Sequence, residues 1–128
     1  MNEHLKQACI VRDNAYSPYS NIKTGASIRL KNGKYYNGCN VENSSFSSIC
    51  AERNALTALV ASGEDRSNVE SILIVNSTDK IMTPCGACRQ MMVELMPSDA
   101  LVICTNEVGE SITMKVSELL PNSFVYPK

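Results

Sequence analysis

The chain of 128 residues has few of the side chains on which common catalytic sites depend. It contains no tryptophan, two phenylalanines and a single histidine, His4, close to the N-terminus. Catalytic triads need a histidine held beside the nucleophile, so one histidine near a chain end argues against enzymes of that type. For the same reason, any zinc site in this chain must be built mainly from sulfur.

The chain also has little net charge and no long apolar run. The formal net charge is −1, whereas proteins that bind nucleic acids or anionic membranes present a basic surface. No apolar run approaches the roughly 20 residues of a membrane-spanning helix, and residues 1–6 lack the apolar core of a signal peptide. We therefore expect no nucleic-acid or membrane partner, a cytoplasmic location and, at this length, a single domain over residues 1–128.

The six cysteines divide by their surroundings into two groups of three. In a chain without a signal peptide, cysteines are more often metal ligands, redox groups or core residues than disulfides. Cys9, Cys39 and Cys104 lie in periodic apolar segments, where we expect them to pack as small buried hydrophobes. The other three lie among small and polar residues.

Those three cysteines have the spacing of metal ligands. Cys50-Ala51-Glu52 is followed, after 31 residues, by Pro84-Cys85-Gly86-Ala87-Cys88. Three thiolates can hold Zn²⁺ and leave its fourth position open, which marks a catalytic rather than a structural site. Glu52 is then placed to handle the protons of an activated water. The pattern is that of the zinc deaminases, in which three cysteines can replace one histidine and two cysteines.

Two other interpretations of the cysteines stay open at this point. Cys85-Gly86-Ala87-Cys88 follows a predicted strand and opens a predicted helix, as does a thioredoxin-type disulfide site. A redox dithiol, however, has no use for a third cysteine followed by an acid. A structural zinc knuckle needs a fourth protein ligand, and the chain has no second C-x-x-C and no histidine pair.

The charge of a three-thiolate site adds a requirement for nearby positive groups. Zn²⁺ with three thiolates carries a net charge of −1, which weakens its ability to activate water. Arg53 and Arg89 each flank the cluster in sequence. We expect one or both guanidinium groups to donate to the thiolate sulfurs and so to compensate the charge, with Arg53 the better placed.

Hydrophobic periodicity predicts an α/β domain. Helices are predicted over residues 3–15, about 50–62 and from 83 or 84 to 97, with strands at 24–30, 34–41, 71–76, 100–105 and 111–116 and a helical turn at 117–120. Asn32-Gly33 predicts a two-residue hairpin turn, Ser47 or Ser48 a cap for the second helix, and Gly63 its end. Apolar strands that alternate with helices predict a sheet covered on both faces.

Two of the predicted helices are apolar on every side. Their apolar residues are Ala55, Leu56, Ala58, Leu59, Val60 and Ala61 in one helix, and Met91, Met92, Val93, Leu95 and Met96 in the other. A helix that is apolar all round is buried all round, and a domain of this size cannot easily bury two such helices alone. We therefore expect a subunit interface.

The motifs taken together resemble the cytidine deaminase family, specifically its small homotetrameric type with a three-cysteine zinc site. The resemblance covers about residues 10–125 and is carried by Tyr19-Ser20 with Gly25-Ala26, Gly38–Asn43, Cys50–Arg53, Pro84–Gln90 and Glu118–Pro121. It implies a three-layer α/β/α fold with a five-stranded mixed sheet and one Zn²⁺ per subunit. The implied activity is hydrolytic deamination of cytidine and 2′-deoxycytidine in pyrimidine salvage, with active sites shared between the subunits of a homotetramer.

The resemblance also implies roles for residues that bind substrate. Asn40 and Glu42 would hold the ribose hydroxyls, and alternate residues at a strand end do project to the same side. The backbone N–H of Ala51 would contact the base carbonyl. Phe124 of a neighbouring subunit would lie against the base.

Two positions depart from the family pattern and bear on the choice of substrate. Ile22 stands where the family usually has a phenylalanine that lines the base pocket, and Phe46 stands where it usually has a tyrosine. An aromatic contact contributes roughly 0.5–1.5 kcal/mol beyond burial, so Ile22 could weaken nucleoside binding or admit another ring. The rival enzyme is a related deaminase that acts on a cytosine-containing antibiotic such as blasticidin S.

Overall fold

The computed structural model describes residues 2–127, which contain four α-helices, a 3₁₀ turn and five strands. The helices are α1 (Glu3–Arg12), α2 (Ala51–Ser62), α3 (Gly86–Leu95) and α4 (Val116–Leu119), and the 3₁₀ turn is Arg66–Asn68. The strands are β1 (Thr24–Leu30), β2 (Tyr35–Cys39), β3 (Val69–Asn76), β4 (Leu101–Thr105) and β5 (Ser111–Lys115).

The five strands form one mixed sheet in the order β2-β1-β3-β4-β5. β1 pairs antiparallel with both β2 and β3, β3 pairs parallel with β4, and β4 pairs antiparallel with β5. The parallel pair is connected through α3, as a parallel connection requires. The predicted five-stranded mixed sheet is therefore confirmed.

Alternate residues of β3 show that both faces of the sheet are covered. Ile72 and Ile74 belong to the main core with α2 and α3, whereas Leu73 and Val75 pack against Ala8 of α1. Because side chains alternate across a strand, α1 lies on one face and α2 with α3 on the other. This arrangement is the predicted α/β/α layering.

Two of the three cysteines of the zinc pattern occupy the N-cap positions of helices. Cys50 is the N-cap of α2 and Cys85 the N-cap of α3, and neither side chain makes a capping hydrogen bond. The predicted cap at Ser47 or Ser48 is therefore wrong, as is the predicted helix start at residue 83 or 84. Both sulfurs stay available for other partners. Gly63, with φ 78°, ends α2 as predicted.

Gly38 of β2 lets the first turn of α2 lie directly against the sheet. A Cβ added at Gly38 would lie 2.4 Å from the backbone nitrogen of Ala55 and 2.7 Å from the carbonyl oxygen of Ala51. Only glycine leaves room for this approach. The contact places the end of β2, with Asn40 and Glu42 beyond it, beside the N-terminus of α2.

Several element ends differ from the predicted ones for local reasons. α1 ends at Arg12 because the N–H groups of Asn14 and Ala15 bond to carbonyls three residues back, which tightens the chain into turns. β2 is shorter than predicted, and β3 begins two residues earlier at Val69. In the hairpin loop only Gly33 has positive φ, at 87°, so the predicted two-residue turn is replaced by a longer loop closed by Leu30 and Lys34.

The apolar helices keep part of their apolar surface uncovered. Val60 in α2 is 44% exposed, and Met91, Val93 and Leu95 in α3 are only partly buried. The expected subunit interface stays a prediction. Within residues 2–127, none of the helices has both the length and the apolar character needed to cross a lipid bilayer.

Candidate active site

The sulfur atoms of Cys50, Cys85 and Cys88 meet between the N-termini of α2 and α3. Cys50 Sγ lies 3.6 Å from Cys85 Sγ, and Cys85 Sγ lies 3.3 Å from Cys88 Sγ. All three donor atoms lie within 4.8 Å of one another, and they form the sole cluster of at least three potential metal ligands in the described part of the chain.

The cluster fits zinc. Tetrahedral coordination at a Zn–S distance of about 2.3 Å separates the sulfurs by roughly 3.8 Å, close to the two measured distances. The helix N-termini favour the thiolate form that binds metal. Because the described residues supply three donors to this cluster, the set leaves one position for water or substrate, which is the arrangement of a catalytic zinc.

Hydrogen bonds within the cluster favour one thiolate in particular. The hydrogen bond with the Cys88 thiol lowers the pKa of Cys50 to about 5, and hydrogen bonds from Arg53 and Cys85 act in the same direction. The same contact with Cys50, together with burial, raises the pKa of Cys88. Cys50 is therefore the sulfur on which the protein itself most strongly stabilises negative charge.

The two arginines that flank the cluster in sequence have different partners. Arg53 Nη2 lies 3.7 Å from Cys50 Sγ and donates to the Ser48 carbonyl oxygen at 2.9 Å. Arg89 donates instead to oxygens of Thr83, Pro84 and Leu119, and within residues 2–127 none of its hydrogen bonds goes to sulfur. Arg53 is thus placed to compensate the charge of the cluster. The expectation that Arg89 also donates to the sulfurs is wrong.

Glu52 lies in the first turn of α2, next to the cluster, and is only 6% exposed. Burial raises the pKa of its carboxyl group to about 7. A dication at the three sulfurs would stabilise the carboxylate and lower this pKa again. A carboxyl group in such surroundings can exchange protons near neutral pH, as a general acid or base must.

A cavity of about 260 Å³ opens beside Cys50, Cys85 and Glu52. Its volume is near the lower end of the range for small-molecule sites. The wall is mostly apolar, and the apolar contribution comes from Ile49, Ala51, Ile74 and Met82. The polar lining residues other than Glu52 and the two cysteines are Thr24, Asn40, Glu42, Ser48, Asn76 and Thr83. A mostly apolar cavity with a few polar lining residues suits a small heterocycle that carries a polar substituent.

Asn40 lines this cavity and is held by the segment before β1. Its Oδ1 accepts a hydrogen bond from the Thr24 N–H at 2.8 Å, and its Nδ2 donates to the Ile22 carbonyl oxygen at 2.9 Å. Both contacts are made with backbone atoms, so the orientation of the amide is fixed before any ligand binds.

Glu42 is oriented by the same segment. Its Oε1 accepts from the N–H groups of Tyr19 and Ser20 at 3.0 and 3.1 Å, and its Oε2 accepts from the Ser20 hydroxyl. The hydrogen bond from the Ser20 side chain, followed by those from the backbone, lowers the pKa of Glu42. The group is therefore an ionised acceptor that is 8% exposed at the cavity edge.

Two predicted substrate residues do not line the cavity of their own subunit. Ile22 is partly buried and contributes only its carbonyl oxygen, through Asn40. Phe124 is 65% exposed on the C-terminal segment, where its ring contacts that of Tyr126. Phe46, the other departure from the family pattern, is 82% exposed and its ring contacts Tyr19. The roles of Ile22 and Phe124 remain predictions.

Asn76 is a cavity residue that the sequence analysis missed. It ends β3, is 2% exposed, and accepts hydrogen bonds from the N–H and hydroxyl of Thr78 at 2.7 and 2.6 Å. Its Nδ2 donates to the Lys80 carbonyl oxygen at 3.0 Å. Asn76 thus shapes the loop that leads from β3 to Cys85. Ligands of open α/β sheets bind beyond the carboxyl ends of strands, and this rule could have identified it.

Comparison with known proteins agrees with this geometry. The family model described as "Cytidine and deoxycytidylate deaminase zinc-binding region" matches residues 1–105. A curated cytidine deaminase of Halalkalibacterium halodurans is 43% identical over 121 residues, which span 94% of this chain and 90% of the relative. A second, from Sporosarcina psychrophila, is 38% identical over 88% of this chain and 82% of the relative.

Solved structures show the same likeness in three dimensions. The crystal structure of cytidine deaminase from Burkholderia pseudomallei superposes with a TM-score of 0.90 at 40% identity, over 97% of this chain and 100% of that one. The Mycobacterium tuberculosis enzyme gives a TM-score of 0.79 at 31% identity, over 94% of both chains. On the strength of the matched motif, the identities and the shared fold, the chain belongs to the cytidine and deoxycytidylate deaminase family.

Proposed function

We propose that this protein is a zinc-dependent cytidine deaminase, which hydrolyses cytidine and 2′-deoxycytidine to uridine and 2′-deoxyuridine and releases ammonia. The observation that carries the proposal is the meeting of three cysteine sulfurs with a buried glutamate, Glu52, at the wall of one cavity. The curated relatives at 43% and 38% identity are named cytidine deaminases.

Cys50, Cys85 and Cys88 are the residues that would hold the metal, one Zn²⁺ per subunit. Zinc bound there supplies Lewis-acid activation of a water molecule at its open position. Arg53, through its contact with Cys50 Sγ, withdraws part of the negative charge of the thiolates.

Glu52 moves the protons of the reaction. Its carboxylate takes a proton from the attacking water as the water oxygen bonds to C4 of the base, and delivers a proton to ring nitrogen N3. It then takes the second proton from the same oxygen and delivers it to the exocyclic amine, so that the C4–N bond breaks, a C4=O carbonyl forms and ammonia leaves. The position of Glu52 supports this role, because its carboxyl group is buried in the first turn of α2 and lines the cavity together with Cys50 and Cys85.

The substrate would be oriented by three polar groups. The Ala51 N–H lies in the first turn of α2, where backbone donors have no partner within the helix, and it would contact the base carbonyl. Asn40 and Glu42 would bind the ribose hydroxyls at the polar edge of the cavity. Their fixed orientation supports this role, because side chains that are already ordered lose little entropy on binding.

We further propose a cytoplasmic homotetramer of one-domain subunits, in which Phe124 closes the site of a neighbour. Phe124, Val125 and Tyr126 are 65%, 79% and 74% exposed, and an exposed apolar segment of this kind commonly marks an interaction site. The incompletely covered surfaces of α2 and α3 support the same assembly. A metal site built from three cysteines suits a reducing compartment, where thiols are not oxidised to disulfides.

The test is the loss of cytosine-ring absorbance on four substrates, measured side by side with the zinc-loaded protein. We expect turnover of cytidine and 2′-deoxycytidine, and far less of free cytosine and of blasticidin S. Turnover of blasticidin S alone would instead assign the rival antibiotic-deaminase activity. No feature of the site favours the thiol–disulfide alternative, since Cys50 adds a third sulfur 3.6 Å from Cys85.

A further inference from the structure

The side chain of Arg89 joins the segment that carries Cys85 to the C-terminal part of the chain. Its Nε donates to the Pro84 carbonyl oxygen at 2.7 Å and its Nη2 to the Thr83 hydroxyl at 3.0 Å. Its Nη1 donates to the Leu119 carbonyl oxygen at 2.9 Å. One planar group therefore contacts two segments that lie 30 or more residues apart in the chain.

The geometry of these contacts is specific to arginine. A guanidinium group presents its donors in a rigid plane, whereas a lysine ammonium is a compact charge that cannot reach three separate oxygens in the same way. The Leu119 carbonyl is at the last residue of α4, where carbonyl groups lack helical partners and a cation is favoured. Arg89 thus supplies a hydrogen-bond donor to the last carbonyl group of α4 and also binds the loop before α3.

One segment that Arg89 contacts lines the cavity, and the other leads to Phe124, for which a role at a neighbouring site is proposed. Thr83 and Cys85 line the cavity, and Pro84 between them is buried. On the C-terminal side, Gln90 next to Arg89 donates to the Phe124 carbonyl oxygen at 3.2 Å. The first turns of α3 therefore fasten residues 119–124, named here the C-terminal segment, at two points.

We propose that Arg89 is a positioning residue that couples zinc binding at Cys85 to the docking of the C-terminal segment on α3. Metal at Cys85 fixes the Pro84 carbonyl and the Thr83 hydroxyl, which hold Arg89 in the orientation that binds Leu119. Coupling between two such sites is reciprocal, so a C-terminal segment that is not docked must weaken zinc binding. The inference rests on the zinc site of the proposed function, but not on the identity of the substrate.

The test compares Arg89→Gln and Arg89→Lys with wild type and with Arg66→Gln, which removes an exposed arginine in the 3₁₀ turn. Zinc affinity is measured by competition with a chromogenic chelator. Hydrogen–deuterium exchange of residues 119–124 is measured with zinc and after its removal. In wild type and Arg66→Gln, we expect zinc removal to speed exchange in the C-terminal segment.

For Arg89→Gln we expect zinc binding to weaken by about tenfold, as is typical when a residue that supports metal ligands is lost. Exchange in its C-terminal segment should be fast with or without zinc. Arg89→Lys should not restore either property. If Arg89→Gln fails to fold, as judged by circular dichroism, Thr83→Val removes one of the three contacts and should weaken zinc binding by about threefold, roughly the loss of one hydrogen bond.

Two results would overturn the coupling. The first is a zinc affinity of the folded Arg89 variants that lies within twofold of that of Arg66→Gln. If the Arg89 variants do not fold, the same result for Thr83→Val would count. The other is exchange in the wild-type C-terminal segment that does not respond to zinc. Neither readout uses turnover, so a failure to deaminate cytidine would contradict the proposed function and leave this test intact.

Discussion

Arg53 Nη2 lies 3.7 Å from Cys50 Sγ and is held there by a second hydrogen bond, to the Ser48 carbonyl oxygen at 2.9 Å. The contact with Cys50 also raises the pKa of Arg53, so the guanidinium is charged throughout the range in which the protein would act. A permanent positive charge beside one of three thiolates offsets the net negative charge that the site would otherwise have.

Arg53→Gln should therefore weaken zinc binding and slow turnover together. We expect zinc affinity to fall by about 10- to 100-fold, because partners of metal ligands typically contribute that much. The measurements are chelator competition and the rate of cytidine deamination at saturating zinc. Arg66→Gln is the matched control. If both quantities in Arg53→Gln stay within twofold of this control, charge compensation by Arg53 is wrong.

Ser20→Ala should raise KM for cytidine with little change in kcat. The Ser20 hydroxyl donates to Glu42 Oε2, and the Ser20 N–H donates to Oε1. Loss of a hydrogen bond to a charged group lets the carboxylate turn away from the ribose, and we expect KM to rise by about tenfold. Ser20→Thr, which keeps a hydroxyl, is the control.

A second substrate separates this effect from a general disturbance of the site. 2′,3′-Dideoxycytidine lacks the hydroxyls that Glu42 and Asn40 would bind, so its KM should be the same for wild type and Ser20→Ala. An equal rise in KM for both nucleosides would show that Ser20 does not act through the ribose.

Gly38→Ala should destabilise the fold. The new methyl group would lie 2.4 Å from the Ala55 nitrogen, so β2 and α2 would have to separate. Overpacking of this kind costs about 1–3 kcal/mol in the free energy of unfolding, which urea denaturation measures. The control is Gly86→Ala, where an added Cβ meets nothing within 4 Å. Equal stability of the two variants would contradict the close contact at Gly38.

His4 should make the stability of the protein depend on pH. Its Nε2–H donates to the Ser27 carbonyl oxygen at 2.6 Å, and Nδ1 lies 3.4 Å from the Ser71 hydroxyl, which can donate to it. Burial lowers the pKa of His4 below its ordinary value of 6.5, the hydrogen bond to Ser27 raises it in part, and of the nearby charges Arg29 lowers it and Glu70 raises it. The neutral ring is the form that the fold stabilises.

The sign of the effect follows from this pKa. As the pH falls below about 6.5, His4 takes up a proton in the unfolded chain but resists protonation in the folded chain. The contribution of His4 to the free energy of unfolding is therefore complete above that pH and decreases as the pH is lowered. When the pH is lowered from 8 to 5 at saturating zinc, the urea midpoint of wild type should fall more steeply than that of His4→Gln. Parallel curves for the two proteins would show that His4 does not contribute.

The fold could be predicted from the sequence because its strands and helices carry clear periodic patterns. The apolar runs of β3 and β4 predicted buried neighbouring strands, and Gly63 predicted the end of α2. Element ends such as Arg12 and Val69 were missed, because hydrogen bonds to particular carbonyls decide them. Spacing placed Cys85 and Cys88 one helical turn apart, and the Cys50-Ala51-Glu52 element with the zinc-deaminase pattern added Cys50 to the cluster that the structure shows.

The surroundings of the site could not be predicted in the same way. The contact of Arg53 with a sulfur three residues before it was expected, but one of the groups that hold Arg89 away from the sulfurs is the carbonyl of Leu119, 30 residues away. The hydrogen bond from the Ser20 hydroxyl to Glu42 joins residues that are 22 apart in the chain. Such contacts arise from tertiary packing, which periodicity does not record.

The most direct test of the proposed activity is the conversion of cytidine by the zinc-loaded protein and by its Glu52→Gln variant, with uridine and ammonia both quantified. The variant keeps the shape of the side chain and removes its proton transfer, which is worth about 10²- to 10⁴-fold in rate. We predict equal amounts of uridine and ammonia from wild type, and a rate lower by that factor in a variant that still binds zinc. Absence of uridine with wild type, or an unchanged rate in Glu52→Gln, would contradict the account.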